Sequence, residues 1–205
     1  MITFFTEVRQ TLVPRNDVKN GQLSPLLVAL TLVTGLVDAF SYLVLGHVFV
    51  ANMTGNVVFL AFALAGATGF SILASLVALG SFVVGSLVGG FLGSRFGQHR
   101  GHLLSVAAVL QALLLIVAAV LAALSGNPVP AGYNYGFIIV LGIAMGVQNA
   151  TARKLAVPDL TTTVLTLTIV GIGADSRLVG GSGSKAGRRL ISVAAMFVGA
   201  FIGVC

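Results

Sequence analysis

Charge is what this chain has least of. Asp, Glu, Lys and Arg make up 8% of its 205 residues, against roughly a quarter in an ordinary globular domain. That shortage excludes a soluble protein with a solvated, charged surface. The single cysteine, Cys205, excludes an intrachain disulfide and a metal site built from cysteines. Acids number five, and Asp38 alone lies inside an apolar segment, so paired-carboxylate chemistry has too few groups. No Ser-His-Asp set and no HExxH helix is present. "GGSGSKAGRR" lacks the G-x-x-x-x-G-K-[ST] spacing and the strand–helix setting of a phosphate loop. His99 and His102 flank Arg100 without a carboxylate, which reads as a solvated loop. The expectation is a protein that is not an enzyme and carries no cofactor.

What fills the chain is apolar. Hydrophobic residues account for 57% of it and the mean hydropathy is +1.07. Runs of about 20 apolar residues, the length that crosses a bilayer as a helix, recur along almost the whole sequence. The 26 glycines agree, because Gly is commoner in transmembrane helices than in soluble ones. The fold class is therefore all-α, a polytopic transmembrane helical bundle of six to seven hydrophobic segments. A polar lead-in, 1–22, precedes a membrane domain, 23–205; it has no cleavable signal pattern. The segments fall at 24–45, 48–67, 70–93, 103–124, 135–152, 160–174 and 190–205. The last would span about 24 Å as a helix, against a hydrocarbon core of about 30 Å. A C-terminus shortened relative to a complete protein is expected on that ground.

Internal similarity divides the membrane domain. "GLVDA" at 35–39 matches "GVQNA" at 146–150, which sets Asp38 over Asn149. "MTGNVV" at 53–58 resembles "LTTTVL" at 160–165, which sets Thr54 over Thr161. Gly85-x-x-x-Gly89 matches Gly199-x-x-x-Gly203. The offsets are 111, 107 and 114 residues. Two related three-segment halves, about 24–93 and 135–205, would then be joined by segment 103–124. The net charge of +6 fits Lys and Arg collecting in cytoplasmic loops better than nucleic-acid binding. If segments 48–67 and 160–174 enter and return, all the basic residues lie on one side and the halves are inverted repeats, as in secondary transporters. The N-terminus is expected on the cytoplasmic side, with the crossing count open.

On a helix, Asp38 shares a face with Thr31, Thr34, Gly35, Ser41 and Tyr42, at spacings of three, four and seven. A carboxylate facing lipid would cost several kcal/mol, so this stripe faces other helices or water. The matching stripe of segment five runs Gly142, Gly146, Asn149, Arg153. A pseudo-two-fold axis would bring Asp38 and Asn149 to one central region, with Arg153 as an ion-pair partner or as a residue snorkelling to the interface. "NMTGN" and "DLTTTVLTLT" concentrate hydroxyls and amides where a helix enters the bilayer, and broken backbone is tolerated there only beside protein or a water-filled cavity. Thr34, Tyr42, Asn52, Thr54, Asn56, Thr161, Thr162 and Thr163 thus join Asp38 and Asn149 as candidates for binding a small molecule or an ion. The competing reading makes them hydrogen-bonding glue between helices, and the two GxxxG motifs close-packing sites.

"GLVDAFSYLVLGHVFVANMTGNVVFL", "GVQNATARKLAVPDLTTTVLTLTI" and "RRLISVAAMFVGAFIG" together resemble the YoaK-like family of uncharacterised bacterial membrane proteins, over residues 24–205. The resemblance implies a multi-pass protein of the bacterial cytoplasmic membrane, no assigned substrate or reaction, and an expected end to this chain ahead of the family's last helix. The functional expectation is a small secondary transporter or permease with a polar site around Asp38. Lacking a nucleotide-binding motif, it would be driven by a gradient. The alternative is a non-transporting scaffold or partner-binding protein in which the polar residues are packing contacts and the basic loops meet a partner or anionic lipid.

Overall fold

A computed structural model describes residues 2–14, 22–126, 130–157, 160, 165–176, 180 and 185–204. Eight helices occupy them: α1 Ile2–Leu12, α2 Leu23–Val44, α3 Met53–Leu64, α4 Ile72–Phe96, α5 Arg100–Ser125, α6 Ala131–Leu155, α7 Leu165–Ala174 and α8 Ala186–Ile202. No strand occurs among the described residues. Local signals set several boundaries. Pro25 sits in the first turn of α2, where its missing N–H removes no helical bond. Ser71 caps α4, its hydroxyl accepting from the Ala74 N–H at 3.2 Å. At the end of α6, Ala156 turns left-handed at φ +46° and its N–H returns to the Ala152 carbonyl.

Four helices are long and apolar enough to cross a membrane: α2, α4, α5 and the stretch Gly132–Leu155 of α6. Their surroundings differ. Of the apolar stretch of α6, 61% is buried, against 17% for α5, so α6 is the central post and α5 lies on the perimeter. Val109, Leu113, Ile116, Val120 and Leu124 form an exposed stripe on α5, and Leu87 and Phe91 on α4 and Phe197 and Phe201 on α8 are also exposed. An apolar perimeter of this extent requires lipid.

Helix directions follow from two glycine seams. Gly85 of α4 lies against the Ile143 carbonyl of α6, Gly89 against Val147 and Ala150, and Gly93 against Lys154, so α4 and α6 run parallel. Gly199 of α8 lies against the Leu32 carbonyl of α2, and Gly203 against Leu36 and Ala39, so α2 and α8 are parallel too. The two pairs oppose each other. Leu23 and Leu27 at the start of α2 pack in one cluster with Leu103, Leu155 and Val157, while Val37, further along, packs with Phe137, Ile138 and Leu141 near the start of α6.

The described basic residues gather at one end of the bundle. Arg95 closes α4, Arg100 opens α5 and donates to the Leu155 carbonyl at the end of α6, and Arg189 lies in the first turns of α8. Beneath them, α1 is tied to the same end by Glu7, whose Oε2 accepts from the Gly187 N–H at 3.0 Å. At the opposite end the chain leaves α2, turns at Gly46 and His47 (φ +89° and +56°), and dips back into the bundle at 48–51. After α3 it re-emerges beside its entry point, where His47 Nδ1 meets the Gly69 carbonyl at 3.1 Å. Segment 45–71 therefore enters and returns at one end. The described part of 156–185 likewise lies between an α6 that ends, and an α8 that begins, at the basic end.

Candidate functional site

Asp38 is 5% exposed, on the inward stripe with Thr31, Thr34 and Ser41, each 0% exposed. Its Oδ1 accepts from the Val50 N–H at 3.1 Å and the Ala51 N–H at 2.8 Å. Those two amides belong to the returning strand of chain ahead of α3, where no helix supplies them an acceptor and water is excluded. The carboxylate is thus the anchor of the re-entrant segment. It also stands just ahead of the α3 N-terminus, where negative charge is favoured by the helix dipole. The second oxygen, Oδ2, is buried and makes no hydrogen bond.

Asn56, one turn into α3 and 0% exposed, completes the clamp. Its Oδ1 accepts from the Phe49 N–H at 2.9 Å and its Nδ2 donates to the Phe49 carbonyl at 2.5 Å. The amide thereby satisfies both backbone groups of one residue, as a neighbouring strand would. Tyr42 is half-buried and roofs this end: its ring stacks on Phe49 (centroids 5.1 Å apart), Phe49 on Phe59 (5.5 Å) and Phe59 on Phe70 (5.2 Å), with His47 edge-on to Tyr42 at 5.0 Å.

Two cavities adjoin α4. One, of about 490 Å³, opens at the start of α3 and is lined by Asn52, Thr54, Phe59 and Phe82, with Thr166 from α7. Asn52 and Thr54 are exposed in it, and Asn52 makes no side-chain cap on α3. The other, of about 900 Å³, lies toward the basic end between α4 and α6, lined by Phe82, Ser86, Gly90 and Gly93 and by Asn149, Ala150, Arg153 and Lys154. Phe82 borders both.

The expected meeting of Asp38 with Asn149 and Arg153 does not occur. Asp38 takes its bonds from the backbone of 50–51, and no ion pair joins it to Arg153. The reason is direction. With α2 and α6 antiparallel, Arg153 lies level with the start of α2, whereas Asp38 lies two-thirds of the way along it. Asn149 is half-buried and donates to the Met145 carbonyl of its own helix at 2.8 Å. Thr161, Thr162 and Thr163 lie outside the described residues.

Sequence reasoning passed over a buried polar network that joins three helices. Gln148 is 2% and Gln111 3% exposed. Gln111 Nε2 donates to Gln148 Oε1 at 2.6 Å, and Gln148 Nε2 donates to Thr34 Oγ1 at 2.8 Å. Thr34 in turn donates to the Leu30 carbonyl at 2.9 Å. This chain of amides ties α5, α6 and α2 together. The available signal was Gln111, the one strongly polar residue in segment 103–124, since a buried amide in lipid demands a partner of its own kind.

These features define a class, the polytopic α-helical membrane protein with short helices inserted between its spans. Residues 26–205 match the family of proteins of unknown function DUF1275, and the chain belongs to it. It is 36% identical over 151 residues to the UPF0700 transmembrane protein YoaK of Bacillus subtilis (strain 168). That alignment covers 73% of this chain and 65% of the relative, just under two thirds of its length. No solved structure matches.

Proposed function

We propose that the protein is a small secondary transporter built from two inverted three-helix halves, α2–α4 and α6–α8, joined by α5. One observation carries the reading: the two glycine seams correspond residue for residue. Gly35 lies against the Met196 carbonyl and the Ala200 N–H, and Gly146 against the Phe82 carbonyl and the Ser86 N–H. Gly199 meets the Leu32 carbonyl and Gly85 the Ile143 carbonyl; Gly203 meets Leu36 and Ala39, and Gly89 meets Val147 and Ala150. Residues 32, 35, 36 and 39 thus correspond to 143, 146, 147 and 150, each 111 later. Residues 82, 85, 86 and 89 correspond to 196, 199, 200 and 203, each 114 later. Because α2 and α6 are antiparallel, the halves are related by inversion, the plan on which many secondary transporters alternate access.

The cavities support the same reading. Phe82 borders both cavities, the one at the basic end and the one lined by Asn52, Thr54 and Thr166, so both adjoin the same stretch of α4. Paired cavities of this kind suit a carrier with a central site. Placing the basic end in the cytoplasm, by the excess of Lys and Arg, puts the N-terminus of a bacterial inner-membrane protein inside. Asp38 then serves in two ways: Oδ1 holds the re-entrant segment, and Oδ2 remains for a proton or coupling cation. Solute or proton flux in proteoliposomes tests this, with Asp38 intact and as Asp38→Asn, which keeps an oxygen for the loop but removes the charge. Flux that falls at least tenfold supports coupling through Asp38; equal flux removes Asp38 from the mechanism.

A scaffold is the second reading, favoured by the fact that Asp38, Asn56, Gln111 and Gln148 all bond within the protein. Protein that is folded yet passes no solute across a broad screen supports that alternative.

A further inference from the structure

We infer that the cavity between α4 and α6 binds an anionic group, a phosphate or carboxylate, with Arg153 and Lys154 as its cationic contacts. Charge is the first argument. Both charged residues that line this cavity are cations, and no carboxylate lines it. Among the described residues neither makes an ion pair, whereas Arg189 at the same end is matched by Asp175 at 2.7 Å. Two adjacent cations with no counter-charge among the described residues repel one another and raise the local potential, and apolar walls such as Phe82 and Ala150 concentrate that field.

Shape is the second argument. The stem of Lys154 lies across Gly93 and Gly97, where an added Cβ would come within 3.2 Å of its Cγ and 2.9 Å of its Cε. The two glycines therefore leave a track along which the stem of this exposed side chain runs. Arg153 stands one turn from Asn149, so guanidinium and amide share a face of α6; Ser86 adds a hydroxyl from α4. A planar fork, an ammonium, an amide and a hydroxyl around one space suit an oxyanion with several acceptor oxygens. Two corresponding positions in the other half differ in chemistry, with Tyr42 for Arg153 and Leu43 for Lys154, so the cationic pair is peculiar to this cavity.

The inference rests on the transporter reading only in taking this cavity as part of a transport path; binding itself needs no transport. The oxyanion could come from a free solute or from a lipid headgroup, and the test has an arm for each. Thermal unfolding of the full chain in detergent is followed with inorganic phosphate, with acetate and with choline chloride at equal ionic strength. The same measurement is made in nanodiscs of phosphatidylglycerol or phosphatidylcholine. Since a ligand of the folded state raises the midpoint, the expected result is a rise with the anion and none with choline chloride or phosphatidylcholine. Arg153→Gln/Lys154→Gln should weaken the apparent affinity at least about tenfold. Arg95→Gln, a charge removed from the same end but outside the cavity, should leave it unchanged. Arg153→Lys/Lys154→Arg, which keeps both charges, should retain binding within about threefold and guards against a variant that merely misfolds. A rise with phosphate or acetate in detergent identifies a soluble anion; a rise confined to phosphatidylglycerol identifies a headgroup. No rise in any arm, or an undiminished rise in the doubly neutralised variant, overturns the inference. Flux without anion stabilisation sinks this site and leaves the transporter, while stabilisation without flux does the reverse.

Discussion

Asp38 and Asn149 each lie three residues after a glycine packed against the backbone of a neighbouring helix, and the comparison between them separates two kinds of polar group in a membrane. Asp38 is nearly sealed and spends one oxygen on two backbone amides of a returning loop. Asn149 is half-buried, bonds to a carbonyl within its own helix and looks into a cavity. The frame around them is shared: the same glycine three residues earlier, set against the same kind of backbone contact. The charge is found where irregular backbone must be satisfied away from water, and the neutral amide where the wall of a cavity needs a polar face. An intramembrane acid is thus first a statement about which backbone groups lack partners.

The strongest test of that shared frame lies in its glycines. Gly35→Val and Gly146→Val each drive a side chain into a backbone carbonyl of the neighbouring helix, which cannot rotate away. Each should destabilise the protein by about 3 kcal/mol or more, read as a loss of folded, monodisperse protein in detergent. The two losses should be similar. If one substitution is tolerated and the other is not, the halves are unequal and the repeat reading weakens.

Next in size is the contrast between the two polar residues. Asp38→Ala leaves the Val50 and Ala51 amides buried without an acceptor, at about 1–3 kcal/mol for each orphaned group. Asn149→Ala removes a half-buried bond to a carbonyl already within a helix and should cost less, about 1 kcal/mol. Asp38→Asn, still able to accept, should fall between. Midpoints in a graded unfolding series would check the order; equal losses at 38 and 149 would erase the distinction.

Much of this organisation was legible in the chain. A carboxylate with Thr31, Thr34 and Ser41 on its face had to point inward, and it does. The GxxxG glycines had to lie against neighbours, and they do. The identity of the partners was not legible. Spacing along a helix gives a face, but whether that face meets another helix or a loop depends on helix directions. An Asp38–Arg153 pair needed the two residues at one depth, and antiparallel α2 and α6 put them at different depths. Gln148 escaped notice because it sits beside Asn149 in a motif whose alignment drew attention to Asn149 alone. The interruption of segment 48–67 at "NMTGN" was legible, but the place of the reversal was not: Gly46 and His47 turn the chain, and only Met53–Leu64 is helical.

Asn56 should rank below Asp38. Asn56→Ala strips both backbone groups of Phe49 of their partner, but Phe49 is only half-buried and water at the bundle end can replace part of what is lost. About 2 kcal/mol is expected. Faster hydrogen exchange should appear at residues 49–51 and not across α6. Exchange that quickens throughout the protein would mean that the clamp holds more than its own loop.

The smallest effect belongs to the contact that joins α2, α5 and α6. Gln148 of α6 reaches Thr34 of α2 on one side and Gln111 of α5 on the other, so one side chain is common to three helices. Hydrogen bonds between membrane helices average about 0.6 kcal/mol and reach at most about 1.7 kcal/mol, since the separated helices also find partners. Gln111→Leu and Gln148→Leu, singly and together, form a cycle whose coupling should fall in that range, toward the upper end because both amides are almost fully buried. Gln148→Leu should cost more than Gln111→Leu, because it also takes a donor from Thr34. Thr34 itself keeps its bond to Leu30, which limits the damage. A coupling near zero would mean that each glutamine is satisfied elsewhere once the other is gone. The three helices would then be held together by their apolar packing.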